Sequence, residues 1–205
     1  MTDSSNGAHS FEHAIAEHLE VVRELLALQP LLEKIAVRMS EAILGGRKIL
    51  WFGNGGSAAD AQHLAAELVG RFRRERRALA SLALSTNTSI LTAIGNDYGY
   101  ERVFQRQVEA LCEPGDVVVG ISTSGNSPNV AAALKTARDL GAFAVALTGV
   151  SGGAAARSAD IALLIPSKDT ARIQEAHILC GHMLCDWVEQ SVCEHQPAEA
   201  EAIIG

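Results

Sequence analysis

The sequence predicts an α/β protein whose core is a parallel β-sheet covered by helices on both faces. Short apolar runs alternate along the chain with segments that have the periodicity of helices. The runs, such as residues 49–52 and 117–121, are apolar at almost every position, as is typical of strands buried on both faces. Two of them end directly in turns rich in glycine and serine, and ligands of parallel sheets bind at such strand ends.

Length and composition restrict the class of protein. A chain of 205 residues can form one domain with a substantial core. No apolar run approaches the roughly 18 residues of a membrane-spanning helix, and the polar start, MTDSSNGAHS, does not resemble a secretory signal. We therefore expect a cytoplasmic protein. The net charge of −7 argues against a general binder of nucleic acids or anionic membranes, and the four cysteines, without a CxxC pair, are expected to be reduced and buried.

The helices and strands are predicted in chain order. Residues 1–9 are expected to be disordered, residues 10–45 to form two helices with a break near Pro30, and residues 194–205 to form a flexible tail, which leaves one domain at residues 10–193. Strands are predicted at residues 49–52, 78–85, 117–121, 142–148 and 161–165. Helices are predicted after Ser57 and at residues 86–94, 100–111, 128–140 and 170–193, with a polar turn at residues 95–99.

Residues 48–71, KILWFGNGGSAADAQHLAAELVGR, carry the strongest functional signal. A buried strand is followed by the glycine-rich turn 53–57 and then by a helix. Free backbone N–H groups and the helix dipole converge at such a point, so that the turn predicts an anion-binding site. The turn is not a Walker loop and lacks the G-x-G-x-x-G spacing of dinucleotide-binding proteins.

A second polar loop, residues 122–127, follows the third predicted strand. Its sequence, STSGNS, offers four hydroxyl groups next to the start of a helix and contains no lysine. Neutral donors of this kind suit a sugar phosphate that is held by many hydrogen bonds. The alternative is an ordinary helix cap, for which a single serine or threonine would be enough.

Two helices carry candidate catalytic or metal-binding side chains. His63 and Glu67 are four residues apart and share a helix face, and the last helix adds Gln174 and His182. The four side chains could coordinate a divalent metal, for which zinc suits two imidazoles. Equally, they could act without a metal, with Glu67 as base and His182 as acid. We assign Glu175 and His177 of the same helix to surface or subunit contacts.

The five arginines between residues 71 and 77 form a local basic cluster in an acidic chain. We interpret most of this cluster as a solvated loop or a subunit contact, with Arg71 as its functional member.

Four segments in the same order carry a family resemblance: FGNGGSAADAQH, the triplet GND (residues 95–97), ISTSGNS and RIQEAH. They resemble the sugar isomerase (SIS) family, and within it the branch that acts on sedoheptulose 7-phosphate, over residues 10–193. The resemblance implies a flavodoxin-like, three-layer α/β/α domain with five parallel strands and an N-terminal helical extension. It also implies a homotetramer with active sites at subunit interfaces, and one zinc ion per subunit.

The resemblance assigns expected roles residue by residue. Asn54, Gly55, Gly56 and Ser57 would contact the substrate from the first loop, and Ser122, Thr123, Ser124 and Ser127 would bind the phosphate. Asn96 and Asp97 would reach the sugar hydroxyls, with Arg71 close by. His63, Glu67, Gln174 and His182 match the metal and catalytic set, in which Glu67 and Gln174 also contact the substrate.

The implied reaction is the aldose–ketose isomerisation of sedoheptulose 7-phosphate to D-glycero-D-manno-heptose 7-phosphate through an enediol. Glu67 would move the proton between C1 and C2, and His182 would assist proton transfer at the oxygens. The alternative is a non-catalytic SIS protein that associates with the bacterial replication initiator. That branch lacks the residues that match Glu67 and His182, and this chain retains both. Ala171 stands where some isomerases have Asp, so a sugar contact is either missing or supplied by Asp169.

Overall fold

The computed structural model describes residues 10–195 and contains one parallel five-stranded sheet, as predicted. The strands lie in the order β2-β1-β3-β4-β5. Their bounds are β1 (Ile49–Gly53), β2 (Ser81–Ala83), β3 (Val117–Ser122), β4 (Phe143–Gly149) and β5 (Ile161–Ile165).

Helices precede the sheet and connect its strands. Two of them, α1 and α2, form the predicted N-terminal extension; a 3-10 segment at Leu25–Leu28 separates them, and Pro30 lies in the first turn of α2, where its missing N–H is not needed. The helices are α1 (Phe11–Glu24), α2 (Gln29–Leu44), α3 (Gly56–Val69), α4 (Thr88–Tyr98), α5 (Gln105–Leu111), α6 (Pro128–Asp139), α7 (Gly153–Ser158) and α8 (Thr170–His195). In residues 10–195, no helix is long and apolar enough to cross a membrane.

The sheet separates two apolar cores because successive strand residues point to opposite faces. In β1, Trp51 packs into the larger core with α2, α3 and α8, whereas Leu50 and Phe52 pack into the smaller one with α5 and α6. All five residues of β1 and all six of β3 are buried. Helices on both faces thus complete the three-layer architecture.

The strand order sets the position of the site. Strand β1 pairs with β2 on one side and with β3 on the other, and Gly53 is in register with Ile121. The chain therefore leaves β1 and β3 at adjacent points of the same sheet edge, where the strand order reverses. Open α/β sheets bind ligands in the crevice at this position.

Three predicted elements differ from the structure. The strand expected at residues 78–85 covers only Ser81–Ala83, because it lies at the sheet edge with β1 as its one paired neighbour. The helix expected at residues 100–111 divides into a 3-10 turn at Tyr100–Arg102 and the short α5. The polar segment expected to be a turn at residues 95–99 is helical to Tyr98, and Gly99, with a φ of 87°, ends the helix.

The chain ends and the cysteines agree only in part with the predictions. The predictions for residues 1–9 and 196–205 lie outside the described residues. Glu194 and His195, expected in a flexible tail, continue α8. All four cysteines are free; Cys180 and Cys185 are buried as expected, but Cys112 and Cys193 are partly exposed.

Helices α3 and α8 run side by side in the same direction on one face of the sheet. Gln174 near the start of α8 lies against Gly56 at the start of α3, and Gly181 lies against Leu64 about two turns further on. A Cβ atom at Gly181 would lie 2.5 Å from Leu64 Cδ1. The absence of a side chain at Gly181 therefore sets how closely the two helices approach.

Substitution Gly181→Ala should destabilise the fold although alanine is the better helix former. The helix preference for alanine is worth about 1 kcal/mol, and the overlap with Leu64 costs about 1–3 kcal/mol. We expect the free energy of unfolding in urea to fall by up to about 2 kcal/mol, the difference between the two terms. The control is Gly95→Ala in α4, where the nearest atom to a new Cβ, Val103 Cγ1, is 4.0 Å away. That variant should be as stable as the parent or more so, and equal effects of the two substitutions would contradict the argument.

Candidate active site

The first loop approaches β3 closely at Gly53. A Cβ atom there would lie 2.7 Å from the Ser57 side chain and 2.8 Å from the Ile121 carbonyl oxygen. Gly55, with a φ of 57°, occupies the N-cap position of α3 and has no side chain that could cap the helix. The backbone therefore turns from strand to helix without side-chain obstruction at the predicted anion site.

Asn54 joins the first loop to the start of α6. Its amide and that of Asn129 exchange two hydrogen bonds of 2.9 Å, and the Tyr100 hydroxyl donates to Asn54 Oδ1 at 3.2 Å. Asn129 also accepts from the N–H of Val130. Asn129 and Tyr100 are not among the site residues predicted from the sequence, although Asn129 directly follows Pro128, which starts the helix.

The second loop, residues 122–127, is stabilised by a hydrogen bond between two of its own side chains. The hydroxyl groups of Ser122 and Ser127 are 2.9 Å apart, and Ser127 occupies the N-cap position of α6 without making a side-chain cap. The structure does not support the alternative of an ordinary serine cap, because that hydroxyl pairs with Ser122 instead. The turn before α7 and the start of α7 also hold the loop: Ser151 Oγ donates to the Ser124 carbonyl, and the N–H of Ala154 donates to Asn126 Oδ1.

The hydroxyl loop can form only with glycine at its turn. Gly125 has a φ of 68°, and a Cβ atom on it would overlap the backbone of Gly152. The loop therefore lies against the segment that follows β4, with Ser124 exposed and Thr123 half-buried.

His63, Glu67 and His182 form one cluster between α3 and α8. The two Nε2 atoms are 2.8 Å apart, and His63 Nε2 is 3.2 Å from Glu67 Oε1. The three ligand atoms all lie within 4.8 Å of one another, and in residues 10–195 no other group of three His, Cys, Asp or Glu side chains is placed to hold a metal ion. Two imidazole nitrogens and a carboxylate oxygen facing one point are a donor set that fits zinc.

The surroundings of His182 favour its neutral form. Partial burial lowers the pKa of His182 below its usual value, and the nearby His63 and Arg73 lower it further, whereas Glu67 raises it. The Phe72 ring stacks on the imidazole of His182 with centroids 5.3 Å apart. A neutral imidazole is the form that can bind a metal or accept a proton.

Among the described residues, Gln174 contacts Gly56 and is not a member of the His63–Glu67–His182 cluster. Its side-chain amide lies against Gly56, where a Cβ atom would collide with it. Gln174 therefore stands at the first loop, two helical turns before His182, and it links the anion-binding end of the cleft to α8.

Three predicted substrate contacts, Asn96, Asp97 and Arg71, are exposed and pair with residues outside the cluster. Asn96 and Asp97 are exposed on α4, and Asn96 Nδ2 donates to Asp97 Oδ1 at 2.7 Å. The Arg71 side chain is 65% exposed and lies 4.0 Å from Glu75. Asp169 accepts from the N–H groups of Ala171 and Arg172 through Oδ1 and so caps α8, which leaves its other carboxylate oxygen for the predicted sugar contact.

Arg71, Arg73 and Arg77 are exposed, as expected of a solvated loop, whereas the Arg76 side chain is internal. Arg73 and Arg74 pair with Asp186, and Arg76, with a side chain only 3% exposed, pairs with Glu189. Sequence analysis missed Glu189. The available signal was its spacing of seven residues from His182, which places both on one face of α8.

Of the two side chains of α8 that were assigned to surface or subunit contacts, His177 is buried instead, whereas Glu175 is 38% exposed. His177 is completely buried, and its Nε2 is 3.2 Å from the Thr148 carbonyl oxygen. Burial lowers the pKa of His177 from 6.5 to about 4. Glu175 pairs with Arg172 and with His18 of α1, and the hydrogen bond from Arg172 holds the pKa of Glu175 below its ordinary value.

Comparisons with known proteins agree with this architecture. The SIS domain family matches residues 10–149. The chain is 61% identical over 160 residues to phosphoheptose isomerase of Aquifex aeolicus (strain VF5), covering 78% of this chain and 84% of that protein. It is 57% identical over 171 residues to phosphoheptose isomerase of Pelobacter propionicus, covering 82% and 90% of the two. The structure of phosphoheptose isomerase from Neisseria gonorrhoeae superimposes with a TM-score of 0.82 at 46% identity, covering 87% of this chain and 96% of that one.

The buried His177 predicts a specific dependence of stability on pH. The unfolded chain protonates this imidazole near pH 6.5, but the folded chain resists protonation until about pH 4. Above pH 6.5 His177 is neutral in both states, and the fold has its full stability. As the pH falls from 6.5 to about 4, only the unfolded chain gains the proton, so the free energy of unfolding falls by about 3 kcal/mol.

The control is His177→Gln, whose amide can still donate to the Thr148 carbonyl but does not titrate. Urea unfolding between pH 4 and pH 7.5 should show a smaller loss of stability on acidification for this variant than for the parent. Parallel pH profiles for the two proteins would contradict the assignment.

Proposed function

We propose that Glu67 and His182 carry out the chemistry of this chain, which belongs to the phosphoheptose isomerases of the SIS domain family. The chain is an isomerase of sedoheptulose 7-phosphate, which it converts to D-glycero-D-manno-heptose 7-phosphate. The observation that carries the proposal is the convergence of His63, Glu67 and His182 beyond a strand–turn–helix anion site.

The phosphate end of the substrate fits the two loops at the sheet edge. We assign phosphate binding to Ser122, Thr123, Ser124 and Ser127, which offer hydroxyl groups from a braced loop. Asn54, Gly55, Gly56 and Ser57 would contact the sugar from the first loop, together with Gln174 at Gly56. Neutral donors and a helix N-terminus favour an anion without requiring a lysine.

The reacting end of the substrate, C1 and C2, fits the cluster of His63, Glu67 and His182. His63 lies seven residues beyond Gly56, about 10 Å along the axis of α3, and C1 and C2 lie at the opposite end of the heptose from its phosphate. Glu67 would take the proton from C1, and the electrons of that bond would form the C1–C2 double bond as the C2 carbonyl oxygen gains a proton. Loss of the O1 proton and return of the proton from Glu67 to C2 would then give the aldose, with His182 carrying protons at the oxygens.

The cluster also fits a zinc ion, one per subunit. His63, Glu67 and His182 would hold it, with Gln174 as a fourth ligand after a movement of its side chain from Gly56. A zinc ion bound there polarises a carbonyl oxygen and stabilises the negative charge that develops on it. With zinc bound, Glu67 would have to serve both as a ligand and as the base.

The non-catalytic alternative, association with the replication initiator, is not favoured. The relatives reported above are phosphoheptose isomerases over more than four-fifths of their own lengths. The chain also has Glu67 and His182 in mutual proximity, as the reaction requires.

We further propose a cytoplasmic homotetramer with sites at subunit interfaces, built from a single SIS domain at residues 10–193. An apolar cavity of about 320 Å³ between the N-terminal helices and α8 supports subunit contact, since partly exposed Leu26, Met183 and Trp187 line it. The exposed Asn96, Asp97 and Arg71 are available to a site shared with another copy. Four free thiols fit a reducing compartment.

The first test is conversion of sedoheptulose 7-phosphate by the parent protein and by Glu67→Gln, each with and without zinc. Loss of the base should lower kcat by about 10²- to 10⁴-fold, while the variant remains folded. The control is Glu75→Gln, because that carboxylate is 77% exposed and is not a member of the cluster. An inactive parent under both metal conditions would refute the isomerase, and an active Glu67→Gln would refute the role of Glu67.

Zinc binding is tested separately by competition with a chromogenic chelator. The parent should bind one zinc per subunit, and His63→Ala should weaken binding by more than the roughly 10- to 100-fold typical of an outer-shell change. His13→Ala is the control, because that imidazole is exposed on α1 and pairs with Glu17. Equal affinities of the parent and His63→Ala would exclude the cluster as the zinc site, and Gln174→Ala would report whether a fourth protein ligand contributes.

A further inference from the structure

A buried carboxylate on α8 organises the segment that follows α3. Glu189 is completely buried, and it accepts hydrogen bonds from the backbone N–H groups of Phe72, Arg73 and Arg74 at 2.9, 2.7 and 2.8 Å. We call residues 70–77 the strap. Three consecutive N–H groups directed at one carboxylate fix the path of the strap across α8.

Arg76 completes this arrangement from the other side. Its side chain is 3% exposed and lies 3.3 Å from Glu189 Oε1. The guanidinium donates to the carbonyl oxygens of Glu67 and Gly70 at 2.9 and 2.8 Å. These carbonyls lie at the C-terminal end of α3, where the helix cannot satisfy them internally. Arg76 therefore ties the turn that carries Glu67 to the buried carboxylate of α8.

The same strap places an aromatic ring on His182. Phe72 stacks on that imidazole at 5.3 Å with an interplanar angle of 16°, and the Arg73 guanidinium lies 5.1 Å from the Phe72 ring centroid. The backbone N–H of Phe72 is itself bonded to Glu189. The orientation of the His182 ring thus depends on a residue whose position the buried carboxylate sets.

Stability alone is a poor explanation for this ion pair. Burying two charges removes their hydration, and well-packed apolar residues commonly stabilise a fold as well or better. Glu189 and Arg76 do reach both members of the proposed acid–base pair: Glu67 through its helix end and His182 through Phe72.

We propose that Glu189 and Arg76 are positioning residues for the isomerisation, and that Phe72 transmits their effect to His182. The inference rests on the proposed function, because it assigns an effect on the geometry of Glu67 and His182. Their loss should lower kcat with little change in KM, because the phosphate loops contain no strap residue and Arg71, the strap residue assigned to the substrate, is not among the three whose N–H groups bond to Glu189. The geometry required for proton transfer is sensitive to displacements of about 1 Å.

The first experiment compares Glu189→Gln with Asp186→Asn. Glu189→Gln keeps the side-chain shape but removes the charge that faces Arg76 and replaces one acceptor by a donor. We expect kcat to fall about 10- to 100-fold and KM to change less than about twofold. Asp186→Asn is the matched control on the same helix, because it breaks the outer ion pairs of Arg73 and Arg74 but leaves Glu189 in place. It should keep the parent kcat.

The second experiment uses Phe72 and does not depend on survival of the Glu189 variant. Substitution Phe72→Leu removes the stacked ring while keeping the backbone N–H that bonds to Glu189, and Phe72→Tyr restores a ring. We expect Phe72→Leu to lower kcat about tenfold and to weaken zinc binding by roughly 10-fold, within the range of outer-shell changes. Phe72→Tyr should return both to the parent values.

Failure of this inference is distinguishable from failure of the proposed function. If the parent turns over substrate while Phe72→Leu matches it in both kcat and zinc affinity, the positioning role is refuted and the isomerase stands. If folded Glu189→Gln changes KM but not kcat, the role is likewise refuted. If the parent lacks turnover, the proposed function fails, and the zinc affinities of the Phe72 variants still decide whether the strap orients His182.

Discussion

The close parallel packing of α3 against α8 is the constraint on which the site depends. Gly181 permits it at Leu64, and Gly56 permits it at Gln174. A helix places chemically useful side chains every three or four residues on one face, so two helices in contact can bring together groups that are far apart in sequence. His63 and His182, 119 residues apart, have Nε2 atoms 2.8 Å apart for this reason. A wider separation would leave each loop and each side chain locally intact but would separate the cluster.

The sequence predicted the parts that follow from local pattern and chain order. Uninterrupted apolar runs indicated buried parallel strands, and the polar segments after β1 and β3 were placed correctly at one sheet edge, because register aligns Gly53 with Ile121. Patterns failed where tertiary contacts decide. Edge position shortened β2, and the polar residues Gly95–Asp97, which favour a turn by composition, continue α4 instead. Local propensity is a weak guide where neighbouring elements select the conformation.

Buried polar groups were the least predictable feature of the site. His177 and Glu189 are both completely buried, yet composition alone favours exposed positions for such residues. Their burial is possible because each finds main-chain partners: a carbonyl oxygen for His177 and three N–H groups for Glu189. Those partners belong to β4 and to the strap, which no periodicity connects to α8. From the sequence, the arginines of the strap are therefore expected in solvent. Arg76 is internal instead, because it pairs with the buried carboxylate of Glu189.

The phosphate-binding loop and the proposed catalytic side chains are held in place by different parts of the fold. The hydroxyl loop is held by backbone and short side-chain contacts at the rigid edge of the sheet, where β3 and β4 are paired along their length. The proposed catalytic groups project from helix faces, and their orientation depends on side chains from elsewhere, namely Phe72 for His182 and Arg76 for the end of α3. A rigid anion site fixes one end of a long substrate, so that small adjustments of the helices move the reacting groups relative to its other end. Changes in the strap should therefore alter the rate of the chemical step without altering what the sheet edge binds.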